Sequence, residues 1–312
     1  MTCNRREFLA SAAVAAFATG IAPAAAEGKP AIIDTHVHFY DPTRPQGVPW
    51  PGKDDKLLYR PFLPRDFRAV TKDQGVTGVV VVEASPWLED NQWVLDLAKE
   101  DPFVVGIVGH LNPGTEDFRK HFERFARNPR FRGIRVSQGQ VQKEIDKEGF
   151  IEDLKRLQKG GLALDVNGGP ELPALVARLA ERLPELRIVI NHEANVTIDG
   201  KAVPEAWLAG MSAAAKHRNV ACKVSALVEG TRRKDGDAPK ETAFYRPVLD
   251  ALWNAFGEDR LIYGSNWPVS QRCASYATIV AIVREYFKDR GEAATGKFFH
   301  GNAEAAYKWP KR

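Results

Sequence analysis

Residues 32–40 read IIDTHVHFY, and His36 and His38 stand one residue apart at the end of that apolar run. Neutral imidazoles bind Zn2+-type ions at about 2.0–2.1 Å, and they exchange protons near neutral pH. In an extended strand, residues i and i+2 project to one side. The pair is therefore predicted to face a common space as half of a tetrahedral metal site. Asp34 shares that parity and is expected to orient one ring from below. An isolated His-x-His is more often a pair of hydrogen-bonded structural histidines. A third histidine arriving from a facing strand tips the reading toward a metal.

The elements that would deliver it recur along the chain. Short β-branched runs lie at 31–35, 78–84, 103–111, 133–137, 162–166, 188–192, 220–225 and 261–265. Helix-like segments follow them, as at 91–100, 116–127, 171–182, 204–217 and 276–287. Strands alternating with helices imply a parallel sheet, and eight such units in about 250 residues suit a closed (β/α)8 TIM barrel of the α/β class. An open doubly wound sheet is the alternative, but no Gly-x-Gly-x-x-Gly follows the first strand.

In a TIM barrel the last residues of the strands line one mouth. The runs then contribute His36, His38, Glu83, His110, Arg135, Asp165, Asn167, His192, Ser225 and Asn266, a set holding the bulk of the chain's 7 histidines. His36, His38 and His192 are the expected metal ligands, and His192, Asn266 and Asp165 the expected catalytic groups. Arg135, Glu83 and His110, with Trp50 and Tyr59 from the proline-rich stretch 39–66, are expected to bind substrate. Arg135 stays protonated and repels cations, so one metal ion is expected rather than two. Its planar fork suits a carboxylate or a polarised carbonyl, or else an ion pair with Asp165 or Glu83. Asn266 has no titratable proton. It can align water or offer a weak carbonyl ligand, which leaves His192, Asp165, Glu83 or a metal-bound hydroxide as the base. The stretches 39–66 and 229–242 both follow strands and are expected at the mouth as lids or binding loops, the second alternatively as a flexible insertion.

The rest of the composition is ordinary: 44% hydrophobic, 27% charged, net charge +4. No basic stripe marks a nucleic-acid surface. The first 26 residues carry Arg5-Arg6 followed by Phe8-Leu9, an Ala-rich stretch and Ala24-Ala25-Ala26. This is expected to be a twin-arginine-type export signal, read by the translocation machinery and cleaved near Ala26 to give a periplasmic protein. A membrane anchor is the alternative, but the stretch is short and Ala-rich. Residues 27–312 are then one barrel domain. They lack an unbroken run of about 18 apolar residues, so no stable membrane insertion is expected. Cys222 and Cys273 could pair in an oxidising compartment, though sequence does not place their sulfurs. No Gly-x-Ser-x-Gly, His-Glu-x-x-His or phosphate-binding Gly-x-x-x-x-Gly-Lys-Ser/Thr occurs.

The segments IIDTHVHFYDP, GVVVVEA, FRGIRVS, LALDV, INH, CKVSAL and YGSNWPVS, in this order, resemble the amidohydrolase superfamily. The likeness is to the amidohydrolase-2 branch, which contains sugar-lactone hydrolases and dicarboxypyrone-type lactonases. FFHGNAEAAY at 298–307 resembles that group's C-terminal helix. The resemblance implies a (β/α)8 fold and hydrolysis of a lactone at the barrel mouth. By position, His36 and His38 match the first-strand pair, Arg135 a substrate-contacting arginine, and His192 the sixth-strand histidine. Asn266 stands where the family usually has an aspartate that binds metal and activates water. Some relatives of this kind work without metal. The expected activity is opening of a sugar-type or related hydroxy-acid lactone, a small-molecule substrate, assisted by one divalent ion such as Zn2+. The alternatives are a metal-dependent decarboxylase of the same superfamily and a non-catalytic ligand-binding relative.

Overall fold

The computed structural model describes residues 31–310. The export signal expected at 1–26 lies outside the described residues. Eight parallel strands pair in chain order: β1 (Ile32–Val37), β2 (Val76–Val82), β3 (Val104–Gly109), β4 (Phe131–Ser137), β5 (Ala163–Asn167), β6 (Ile188–Ile190), β7 (Val220–Val224) and β8 (Leu261–Tyr263). Helices alternate with them, among them Leu88–Glu100, Glu148–Lys159, Leu172–Arg182, Glu205–Ala215, Thr242–Phe256 and Tyr276–Lys288. The fold is the (β/α)8 barrel that the alternating runs predict. Among the described residues, no helix is long and apolar enough to cross a membrane.

Strand burial explains the continuous apolar runs, since a parallel sheet is covered on both faces. Outward residues such as Ile32, Val79, Val81, Leu164 and Ile190 pack under the helices. Inward residues Ile33, Val80, Val105, Ala163, Val189 and Ile262 form a separate cluster with Ala303, Ala306 and Tyr307. The C-terminal helix Asn302–Tyr307 therefore contributes to the barrel interior.

The ring closes at its top. Asn266 donates its backbone N–H to His36 O at 2.8 Å, and His38 donates to Trp267 O at 2.8 Å. A parallel bridge joins Val37 to Trp267. The seam that completes the barrel thus runs through the two histidines and the asparagine singled out from the sequence.

β1 departs from strict alternation. Its register against β2 shifts between Asp34 and Val37, the mark of an extra residue in the ladder. Ile33 belongs to the interior cluster, whereas Val37 belongs to the outer one. The extra residue resets the parity, so His36 and His38 face inward while Asp34 does not share their side. The expectation that Asp34 supports a ring is corrected here. Asp34 accepts from the backbone N–H groups of His36 (3.1 Å) and Ser265 (2.9 Å) and from the Tyr276 hydroxyl (3.1 Å). It staples the seam rather than an imidazole.

The two long connections are pinned. Tyr40 and Phe62 exchange backbone hydrogen bonds across the first, Arg272 pairs with Asp55, and Trp50 lies edge-on to Tyr40 at 5.4 Å. The first connection also ends sooner than expected, because a helix begins at Pro64. In the second, Gly236 and Ala238 donate to Arg272 O and Cys273 O. It is held against the short 3-10 turn Val269–Arg272 that follows β8 and is not a loose insertion. Cys222 and Cys273 are buried, free thiols.

Candidate active site

The sequence-predicted residues arrive from separate strands at the closing seam. The rings of His36 and His38 lie 5.1 Å apart between centroids, and His36 and His192 lie 4.2 Å apart. All three are buried. Gly264 makes room for the first: a Cβ there would lie 2.8 Å from His36 Cβ and 3.0 Å from Ser225 Cβ. His192 opens an unusual turn, with His192, Glu193, Ala194 and Asn195 all in the left-handed region (φ 56°, 47°, 57° and 48°). Such residues cost about 1–2 kcal/mol each, and they persist where the surroundings over-determine them. The Glu193 carboxylate accepts from Ser225 N–H at 2.8 Å, Trp207 Nε1 donates to Glu193 O at 2.8 Å, and His192 Nδ1 meets Ser225 Oγ at 2.8 Å.

The imidazoles are held neutral. Burial lowers the His36 and His192 pKa values well below the usual range, aided by neighbouring positive charge on Lys223 and Arg135. Burial, with Arg135 beside it, brings His38 down to about 3. Neutral imidazole is the form that binds metals.

Their nitrogens show what is missing. His36 Nε2 is buried with no hydrogen-bond partner. His38 faces two oxygens, Val82 O at 3.0 Å from Nδ1 and Asn266 Oδ1 at 3.2 Å from Nε2. A neutral ring carries one N–H and can donate to only one of them. A cation between His38 Nε2 and Asn266 Oδ1 would reconcile the two lone pairs. Turning the amide over would too, but its oxygen would then meet Glu229 Oε1, which lies 2.8 Å from Asn266 Nδ2. That arrangement requires a protonated Glu229, whose carboxyl burial pushes up to about 7. Among the described residues, no three His, Cys, Asp or Glu side chains make a closed metal cage. A cation here would therefore draw on His36, His38 and the Asn266 amide, rather than on the three histidines expected from the sequence. The residues present fit one divalent ion.

The remaining predicted residues fall around this centre. Arg135 Nε donates to Glu83 Oε1 at 2.8 Å and Nη2 to Glu83 O at 2.9 Å, so those two form a pair. His110 sits close enough to feel both charges. Trp50, 36% exposed, stands edge-on to His38 at 6.1 Å and forms a wall. Tyr59 is tied within its own loop through its backbone N–H to Asp55 O, and no described contact brings it to the histidines. Glu83, Trp50 and Ser85 line a cavity beside the seam with Arg44 and Trp93.

Asp165 is fully buried and heavily used. Its carboxylate accepts from Lys223 Nζ at 2.7 Å, Asn191 Nδ2 at 2.9 Å and the Tyr307 hydroxyl at 2.9 and 3.1 Å. Lys223 was not singled out from the sequence, because it sits in the strand-like run VACKV. The available signal was a lysine at the same parity as Ser225. Its ammonium also donates to Thr35 O at 2.8 Å and touches His36 Nδ1 at 3.5 Å. Glu229 and Tyr307 were missed as well.

The sequence pattern of the amidohydrolase family matches residues 33–309. The chain belongs to the amidohydrolase family. This amidohydrolase is 35% identical over 283 residues to an L-fucono-1,5-lactonase of Burkholderia ambifaria, covering 87% of the chain and 93% of that protein. It is 28% identical over 299 residues to an L-fucono-1,5-lactonase of Burkholderia multivorans, covering 89% and 96%. A crystal structure of an amidohydrolase from Burkholderia multivorans with bound Zn superposes with a TM-score of 0.79 at 25% identity, over 90% of this chain and 100% of that one. The amidohydrolase is a hydrolase of the branch that contains lactonases.

Proposed function

We propose that this amidohydrolase opens a six-membered lactone of a sugar acid at the barrel mouth, by attack of water on the ring carbonyl. The observation that carries the reading is the unpartnered, buried His36 Nε2 beside the facing pair of His38 Nε2 and Asn266 Oδ1. The 35% identity to an L-fucono-1,5-lactonase supports the substrate class.

His36 and His38, with the Asn266 oxygen, would hold one divalent ion, and His192 beside them keeps a free lone pair. When bound, such an ion polarises a carbonyl or a water molecule as a Lewis acid. The chain's own groups do the rest. Water oxygen bonds to the carbonyl carbon, the ring C–O bond breaks, and the ring oxygen leaves with a proton. The product is a hydroxy acid, which releases one proton at neutral pH. Arg135 is permanently charged and faces the mouth from β4, where its guanidinium supports the carbonyl oxygen as negative charge develops. Glu83 fixes its plane. His192 is held by Ser225 and is neutral, so it can accept the water's proton. Its low basicity rises as the adjacent oxyanion forms, since an opposite charge favours the protonated ring. Trp50 closes one side against solvent. Residues 1–26 fit delivery of this enzyme to the periplasm.

A panel of sugar-type and other hydroxy-acid lactones, followed with a pH indicator, tests the reading. Acid release well above spontaneous hydrolysis is expected. Release of CO2 from aromatic or enoic acids, with no lactone opened, would favour a decarboxylase instead. Tight ligand binding without turnover would favour a binding protein.

A further inference from the structure

Asn266 touches two groups at once. Its Oδ1 lies 3.2 Å from His38 Nε2, and its Nδ2 donates to Glu229 Oε1 at 2.8 Å. Among the described residues, Asn266 is the side chain that hydrogen-bonds the Glu229 carboxylate. The other oxygen, Oε2, is sealed from solvent without a partner. A carboxylate is rarely left this way unless it has a task, because an unsatisfied buried acceptor costs about 1–3 kcal/mol. The amide has two ends of opposite polarity, and only an acceptor at Glu229 turns the oxygen toward His38. The left-handed backbone of Asn266 (φ 59°) and its N–H bond to His36 O fix the side chain's origin at the seam. Which end of the amide faces His38 is decided by rotation about its final bond, and Glu229 is the group that sets it.

We propose that Glu229 is a positioning residue that acts through Asn266. Its carboxylate orients the amide oxygen into the cation site and lends that neutral ligand negative charge by polarising the amide. Negative charge thus sits one residue behind the centre rather than at it. This inference rests on the reading of the centre given above, but not on the identity of the substrate.

The carboxylate can be relocated by exchange. Glu229→Gln, Asn266→Asp and the paired Glu229→Gln/Asn266→Asp variant are compared with wild type by zinc titration calorimetry and by kcat and KM on a responsive lactone. Glutamine keeps an acceptor but loses the charge and lets the amide pair settle either way round. Glu229→Gln is expected to weaken zinc binding by about 10- to 100-fold and to lower kcat to a similar degree with little change in KM. The paired variant, with the carboxylate moved onto residue 266, is expected to recover most of both. A merely structural Glu229 would not be rescued by a carboxylate at 266. Zinc affinity within about threefold of wild type in Glu229→Gln, or a paired variant no better than Glu229→Gln, overturns the proposal, as does a wild-type chain that binds no zinc. Should Glu229→Gln alone not fold, the paired variant is read against wild type directly, and a folded pair that has lost zinc overturns it. A wild-type chain that opens no lactone yet shows the expected pattern of zinc affinities overturns only the lactonase reading and supports the relay.

Discussion

Nε2 of His38 lies 3.2 Å from Oδ1 of Asn266, and with the ring's one N–H given to Val82 O, 3.0 Å from Nδ1, each of the two atoms brings a lone pair. Two unpaired acceptors at hydrogen-bonding distance repel unless something positive stands between them. The opposite tautomer, donating to Asn266, would set the same repulsion between Nδ1 and Val82 O instead. This contact is what the proposed one-cation site, at the seam between β1 and the end of β8, rests on.

His36→Ala removes a buried nitrogen with no other partner. Metal content is expected to fall to background by elemental analysis, and kcat/KM by roughly 10³ or more, the scale of a lost Lewis acid. Full activity in this variant would exclude His36 as a ligand.

Trp50→Ala opens the wall beside His38. Its ring contributes contact area rather than proton transfer, so KM is expected to rise about tenfold while kcat changes less. A large loss in kcat with unchanged KM would place Trp50 in the chemistry instead.

Lys223→Met leaves Asp165 charged and buried beside the Tyr307 hydroxyl. Breaking one side of such a pair costs about 3–5 kcal/mol, measurable by urea unfolding. Adding Asp165→Asn removes the stranded charge and is expected to restore part of the loss. Equal stability of the single and double variants would mean that the pair carries little of the barrel's stability.

Much of this was legible in the sequence, because the barrel converts strand ends into a common mouth. His36, His38, Arg135, His192 and Asn266 each close a β-branched run, and closure alone brings them together. What stayed hidden depended on local irregularity or distant partners. The extra residue in β1 flips Asp34 out of the histidines' parity, and no sequence signal marks it. Lys223 reads as an interruption of a strand until Asp165, 58 residues away in the chain, is seen to neutralise it. Tyr307 reaches the interior from the C-terminal helix. Glu229 opens a charged loop whose composition suggests solvent, but the closing seam draws it inward.

Glu229 also predicts a pH dependence of stability in chelated protein. Its folded pKa is raised from 4.5 to about 7, mainly by burial. The folded state then holds the proton more tightly than the unfolded one. The resulting stability is fully present below about pH 4.5 and is lost as pH rises through about 7. Glutamine cannot ionise, so the Tm of Glu229→Gln minus that of wild type is expected to grow by about 2 °C or more between pH 5 and pH 8. A pH-independent difference would show that the carboxyl ionises alike in both states. Gain of stability with loss of zinc affinity would be the signature of a group retained for function.

Stepwise return of zinc to chelated protein, while acid release from a sugar 1,5-lactone is followed, probes the seam most directly. Activity is expected to start near background, climb with each addition and break sharply at one zinc per chain. Full lactonase activity before any zinc is added, or none after saturation, would contradict a single cation held among His36, His38 and Asn266.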